Sequence, residues 1–238
     1  MHFLFLISAA CFCALVYAAA GIVRHIQADI SPSATHEKGP RTMHSTLSQT
    51  SLAQRTESFT QSLPGKATLA VAATVFVAAC AHISFPLPFT PVPLTLQTFA
   101  VILVGLALGP VVGFSALALY LLEGAAGMPV FSPHGPGGIA QLVGPTGGYL
   151  FSYPLAAAVA GWAVRSLPQM SRFTRAAVAG LAATVIIFAL GAGWMAYLGH
   201  LTAIAVWTLA IVPFLPGEAV KIAAASGIYS AFQRAKRS

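Results

Sequence analysis

Two opposite charges three residues apart, Glu218 and Lys221, stand in the apolar stretch Pro213-Phe214-Leu215-Pro216-Gly217-Glu218-Ala219-Val220-Lys221. In a helix that spacing puts both side chains on one face, within reach of each other. An ionised group at mid-membrane costs about 2.5–3.5 kcal/mol on insertion scales. A chain keeps two of them either because they face an aqueous or ligand-filled hollow or because they neutralise each other beside the lipid headgroups. In the first case the carboxylate accepts from N–H donors and the ammonium pairs with an anionic or carbonyl oxygen. Pro216 suits a first helical turn, where its missing N–H costs nothing. The pair is therefore expected near the start of the last helix, at the mouth of a bundle.

Two further clusters bend the backbone. Gly135-Pro136-Gly137-Gly138 precedes Gly144-Pro145-Thr146-Gly147-Gly148-Tyr149, and glycine is the residue that turns sharply or admits close approach. Irregular backbone at membrane depth is tolerated where it is buried in protein or lines a cavity. Thr146 is a candidate cap for the following helix, whose first N–H groups could meet a ligand oxygen; a plain inter-helix loop explains the glycines equally. No Lys-Ser/Thr ending follows, so this is not a nucleotide P-loop. The other cluster is Phe85-Pro86-Leu87-Pro88-Phe89-Thr90-Pro91-Val92-Pro93. Its four prolines hold the chain extended. Phe85, Pro86, Phe89 and Pro91 are candidate residues of a lid, or else of an interfacial turn with Phe among the headgroups.

The elements that must position these clusters are membrane spans. The chain is 57% apolar and 7% charged, against about 25% charged in soluble domains. Between Ala67 and Gln233 the only charges are Glu123, Arg165, Arg172, Arg175, Glu218 and Lys221. An all-α integral membrane bundle of six helices is predicted, at about 67–84, 93–109, 111–127, 147–164, 176–198 and 216–233, each near the ~17–25 residues a bilayer core demands. Residues 201–215 are read as a short helix or a re-entrant segment packed on protein. An additional N-terminal hydrophobic segment, 1–23, is either an anchor or a targeting segment, and Ser/Thr/Gln/His-rich residues 24–66 read as a flexible linker. The membrane domain is placed at 67–238.

The basic residues fix orientation. Lys66, Arg165/Arg172/Arg175 and Arg234/Lys236/Arg237 all fall on one side of a six-crossing chain, while 85–92, 128–146 and 199–215 hold no Lys or Arg. The positive-inside bias makes that side cytoplasmic, with both ends of the core inside the cell. No basic stripe interleaved with aromatics tracks a phosphate backbone, so the net charge of +7 does not point to nucleic acid. Cys11, Cys13 and Cys80 sit in apolar runs, without disulfide or zinc-ligand spacing. His82, His134 and His200 lack the i,i+4 spacing or acidic partner of a metal site. No nucleophile–base arrangement and no Walker motif is visible. A membrane-embedded enzyme using Glu218, Glu123 or a histidine as base, and a non-transporting membrane scaffold, are the competing function classes.

Taken together, Pro86–Thr98 (PLPFTPVPLTLQT), Gly127–Phe131 (GMPVF), Gly144–Leu150 (GPTGGYL) and Pro213–Lys221 (PFLPGEAVK) resemble, in order and spacing, the BioY family of substrate-binding subunits of energy-coupling-factor biotin transporters. The resemblance covers about 67–233. It implies a six-helix bundle that binds biotin in its outer half, a first loop serving as lid, and transport completed with a transmembrane coupling protein and two ATPases. ATP is then used only by those partners, and no cofactor of its own is implied. The family pattern Pro-Gly-Asp-x-x-Lys matches Glu218 and Lys221, with Glu lengthening the acidic arm by one methylene; Glu123 stands where an apolar residue is expected. Biotin offers a carboxylate, a ureido group and an apolar bicycle. Glu218 suits the ureido N–H groups, Lys221 an oxygen, and Tyr149, Thr146, Gly147, Gly148, Gln97 and Gln141 are candidates for the remaining contacts. The small residues Ala70, Thr74 and Ala78 recur on one helix face, which in the family meets the coupling protein; packing within the chain is the alternative. Which end of biotin meets Lys221 stays open at this point.

Overall fold

A computed structural model of the chain describes residues 62–235; residues 1–61, where the N-terminal hydrophobic segment and most of the linker fall, and 236–238 lie outside them. The first helix, α1, runs Leu63–His82. Ser62 starts it by accepting from the Gly65 N–H at 3.3 Å, and Pro64 lies in the first turn, a combination that starts helices efficiently. Lys66 is thus helical, and residues 63–66 belong to the bundle rather than to the linker.

A two-residue antiparallel ribbon follows, β1 (Ser84–Phe85) paired with β2 (Leu94–Thr95). The all-α expectation needs this one amendment, and its cause is the run of prolines, which excludes helix between the two strands. The ribbon also shortens the second helix: Thr95 and Leu96 are engaged with the first arm, so α2 is Gln97–Leu108 and not 93–109. Gly109, at φ 82°, makes the reversal into α3, Pro110–Ala125. That positive φ is open to glycine without steric cost, and the Arg165 guanidinium fills the space a side chain would take.

A short helix, α4 (Gly138–Val143), interrupts the glycine-rich loop. Helix α5 covers Gly147–Ser166 with Pro154 inside it, and α6 covers Arg172–Gly199 with Ser171 accepting from the Thr174 N–H. The polar connection expected at 165–175 therefore shrinks to five residues. The segment 201–215 contains the short helix expected of it, and it runs on without a break. It is α7 (Ala203–Val206), a π turn (Trp207–Ile211) and a 3-10 turn (Val212–Phe214) leading directly into α8, Leu215–Ala235. Pro213 and Pro216 account for the changes of pitch, because each removes a ladder donor and crowds the carbonyl four residues back.

Among the described residues three helical stretches are long and apolar enough to cross a membrane: Leu63–His82, Arg172–Gly199 and Ala203–Ala235. Helices α2 and α3 are apolar but shorter. Helix α5 is central, packed on α6, α3 and α2, while α8 lies against α6 and α2 and α1 against α3 and α2. Tyr120, Ile102, Leu117 and Ile187 are the largest fully buried side chains.

Candidate functional site

Helices α2, α5, α6 and α8 converge with the ribbon around a cavity of about 50 Å³. Since 10–15 Å³ of such space holds one water, there is room for a few waters between otherwise close walls. Glu218 and Lys221 lie in its wall at 4% and 6% exposure, so the pair faces the protein interior and not the headgroups.

The pair has a third member. Lys221 Nζ donates to Glu218 Oε1 at 2.7 Å and to Thr98 Oγ1 at 2.9 Å, while Thr98 Oγ1 donates to the same Glu218 Oε1 at 2.7 Å. The triangle joins the first turn of α2 to the first two turns of α8. Glu218 Oε2 is buried and has no hydrogen-bond partner among the described residues. Two of the three Lys221 N–H bonds are used. One carboxylate oxygen and the third ammonium hydrogen remain uncommitted on these two paired groups, and an uncompensated buried carboxylate oxygen is costly enough to require a partner.

Of the other expected contacts, Gln97, Gln141, Thr146 and Tyr149 line the cavity. Gln97 Nε2 donates to Tyr120 Oη at 2.7 Å, and that hydroxyl donates to the Val130 carbonyl at 2.8 Å. Gln141 braces its own loop: Oε1 accepts from the Gly137 N–H at 3.2 Å and Nε2 donates to the Ser132 carbonyl at 3.5 Å. The Tyr149 hydroxyl donates to the Ala210 carbonyl at 2.9 Å, inside the stretch where the regular helical ladder is broken. Thr146 does not cap α5 through its side chain.

Gly147 and Gly148 do not form the cavity wall. A Cβ on Gly147 would strike the Leu142 carbonyl, and one on Gly148 would strike Trp194. Their small size serves helix packing, with Trp194 Nε1 donating to the Gly144 carbonyl at 2.9 Å.

The proline-rich loop covers the site with different residues from those expected. Val92 and Pro93 line the cavity, whereas Phe85, Pro86, Phe89 and Pro91 do not; Phe89 is 51% exposed. Thr90 turns inward and accepts from the Val92 N–H at 3.3 Å, which points the following residues at the site. Ser132 Oγ and His134 Nε2 each lie 3.3 Å from Ser84, on its hydroxyl and its carbonyl respectively. The ribbon and the glycine-rich loop therefore close over the cavity as one cover.

The small-residue stripe is occupied within the chain. Ala70 and Thr74 are buried and Ala78 is half-buried, with α1 packed on α3. Thr74 Oγ1 donates to Glu123 Oε1 at 3.2 Å, which gives the unexpected carboxylate a polar partner within the chain. Packing within the chain, the alternative reading of this stripe, describes Ala70 and Thr74.

Thr98, Tyr153 and Ser132 also line the cavity and escaped sequence reasoning. So did Phe188 and Phe214, which complete an aromatic wall with Tyr149: Tyr149 and Phe214 lie on either side of Phe188, with ring centroids 6.4 Å apart in each pair. Nothing distinguishes the Thr98 hydroxyl in the sequence from its neighbours Thr90 and Thr95; only its register against α8 does.

The sequence profile of the BioY family matches residues 49–238. A protein of Pyrococcus horikoshii named "Probable biotin transporter BioY" is 40% identical over 136 residues, spanning 57% of this chain and 76% of that protein. The "Biotin transporter BioY" of Thermotoga maritima is 39% identical over 153 residues, 64% of this chain and 86% of its own length. In three dimensions the chain is similar to the crystal structure of the S-component for biotin from an ECF-type ABC transporter, with a TM-score of 0.66 at 22% identity, covering 71% of this chain and 90% of that one. At that identity the likeness concerns the fold. The profile match extends over most of the chain, and this protein belongs to the BioY family.

Proposed function

We propose that this chain captures biotin at the outer face of the membrane as the substrate-specific subunit of an energy-coupling-factor transporter. The observation that carries this reading is the buried Glu218–Lys221–Thr98 triangle with one carboxylate oxygen unpartnered beside a cavity. A donor and an acceptor side by side complement a group that itself offers an N–H next to a C=O. The ureido group of biotin is such a group. Its carboxylate is not, since it would approach the charge of Glu218. The ureido end therefore goes to α8, and the aromatic wall of Tyr149, Phe188 and Phe214 encloses the apolar bicycle. The relatives named as biotin transporters support the choice of ligand.

The six core helices cross the bilayer six times in this reading, α2 and α3 included, with both ends cytoplasmic. The positive-inside distribution of Lys66, the three arginines from 165 to 175 and the C-terminal cluster supports that orientation. The cavity then opens outward beneath the ribbon and the glycine-rich loop, which must shift to admit biotin. Transport is completed by a transmembrane coupling protein and ATPases that consume ATP, and the chain itself uses no cofactor and catalyses no reaction. A non-transporting scaffold would have its interior filled by side chains, and a cavity beside two buried charges argues against it.

Binding of radiolabelled biotin to the detergent-purified protein tests the proposal, with Lys221→Ala as the control. Saturable binding at or below micromolar biotin, lost in the variant, is the expected result. An absence of binding at micromolar ligand overturns it.

A further inference from the structure

We propose that Thr98 is the positioning residue of the biotin site, setting Glu218 and Lys221 in the one arrangement that leaves a carboxylate oxygen to the ligand. This rests on the biotin-capture reading above and deepens it.

Three observations carry the inference. Glu218 has a long, flexible arm, and within a self-contained i,i+3 pair either of its oxygens could turn to the ammonium, or both could share it. In this structure Oε1 takes both available donors, Lys221 Nζ and Thr98 Oγ1, each at 2.7 Å, and Oε2 takes none. The second donor accounts for the asymmetry: among the described residues, Thr98 is the group outside α8 that hydrogen-bonds Glu218, and it does so at Oε1. Thr98 also accepts from Lys221 at 2.9 Å, so a single hydroxyl fixes both termini at once. Finally, Thr98 belongs to α2, next to Gln97, whose side chain is held by Tyr120. The hydroxyl is anchored by a helix other than the one it organises. Hydrogen bonds to charged groups are the strong ones, and a site held by groups on two rigid helices keeps its geometry.

Thr98→Val keeps the shape and deletes the hydroxyl; Thr98→Ser keeps the hydroxyl. Biotin affinity is expected to fall about tenfold to a hundredfold in the valine variant, the range for losing a charge-assisted hydrogen bond, and to stay within about threefold of the wild type in the serine variant, inside the ordinary scatter of such effects. Loss of affinity alone would also follow from general loosening. The discriminating readout is the ratio of affinities for biotin and for two carbamate analogues, each with an oxygen in place of one ureido N–H. The wild type should prefer biotin over at least one analogue, and Thr98→Val should compress that preference toward unity, because the oxygen that reads the N–H is no longer held. Thermal unfolding in detergent without ligand checks that the variants are folded. If the valine variant is not, Thr98→Ala removes the same hydroxyl and takes its place. Unchanged biotin affinity in folded Thr98→Val, or equal losses for biotin and both analogues, overturns the role of Thr98 while leaving biotin capture intact. Failure of the wild type to bind biotin overturns both.

Discussion

The two ends of the bundle are built on opposite principles. At the end away from the cavity, α2, α3 and α5 touch backbone to backbone. A Cβ on Gly105 would collide with the Ala157 carbonyl, and one on Gly161 would lie 2.5–2.7 Å from Gly109, Pro110 and the Gly105 carbonyl. At the cavity end the same helices carry Thr98 and the buried tyrosines Tyr120, Tyr149 and Tyr153 in place of glycine. Close approach through small residues gives dense dispersion contact where no hydrophobic effect drives helices together. Spacing by hydrogen-bonded side chains gives a hollow whose walls can rearrange. One end is a clamp and the other a binding site. The contrast predicts that substitutions at the clamp act on folding, and that substitutions at the site act on ligand affinity before they act on folding.

The harshest test is Gly161→Val. Two extra methyl groups and a Cβ would press on backbone that has no rotamer to change, and overpacking against movable side chains already costs about 1–3 kcal/mol. Little folded protein is expected, seen as aggregated material on size-exclusion chromatography in detergent. Recovery of a monodisperse protein with wild-type biotin affinity would show that the clamp is softer than its geometry implies.

The site itself is broken most severely by Lys221→Met. The variant leaves Glu218 as an unpaired buried carboxylate, a change that costs about 3–5 kcal/mol when a buried pair loses one member. Biotin binding should vanish and the unfolding temperature should drop. Combining Lys221→Met with Glu218→Gln removes the stranded charge. The double variant should regain most of the lost thermal stability and none of the binding. Stability that stays low in the double variant would mean the pair contributes to folding beyond mutual neutralisation, blurring the division between the two ends.

The fold and the site were legible in the sequence to different degrees. Membrane residence, the helix order and the Glu218–Lys221 pair follow from local facts: apolar runs, the scarcity of charge and an i,i+3 spacing. Family resemblance extended the site to Gln97, Gln141, Thr146 and Tyr149, and all four line the cavity. Contacts that depend on the register of one helix against another were not legible. Thr98 meets Glu218 across 120 positions of sequence, and no periodicity reports that. The same limitation applies to Gly147 and Gly148, where Leu142 and Trp194 occupy the space a side chain would take, and to the stripe Ala70, Thr74 and Ala78, whose spacing is identical for an outward and an inward face. Helix boundaries near the prolines also moved. Pro213 and Pro216 change the pitch of a continuous 33-residue helical course without ending it, because the π and 3-10 turns carry the helix through.

A milder change, Tyr120→Phe, separates the two ends further. The Tyr120 hydroxyl is fully buried and passes a hydrogen bond from Gln97 to the Val130 carbonyl. Removing it leaves a donor on one side and an acceptor on the other, a loss of about 1–3 kcal/mol. Gln97 Nε2 then loses its partner while Oε1 still accepts from Thr95 Oγ1 at 3.3 Å, so the amide is held at one end only and biotin affinity should fall by about tenfold, with the protein still folded at room temperature. A loss of thermal stability with unchanged affinity would make Tyr120 part of the clamp despite its position at the cavity end.

The smallest effect is expected at the cover. Phe89 sits at the tip of the loop, 51% exposed, while Val92 and Pro93 make the contacts with the cavity. Exposed substitutions away from buried networks change stability by about 0.5 kcal/mol or less, so Phe89→Ala should leave the unfolding temperature unchanged. Its equilibrium affinity for biotin should stay within about twofold of the wild type, since a residue outside the wall discriminates little between bound and free states. A lid can still govern rates without governing affinity. If Phe89 anchors the closed loop in the headgroup region, association and dissociation should both accelerate in Phe89→Ala by a similar factor, which filter-binding time courses resolve. Val92→Ala, which removes part of the wall, should instead raise dissociation alone. Identical kinetics in the two variants would mean that the loop moves as one stiff unit, with its four prolines transmitting a change at the tip to the residues that touch the ligand.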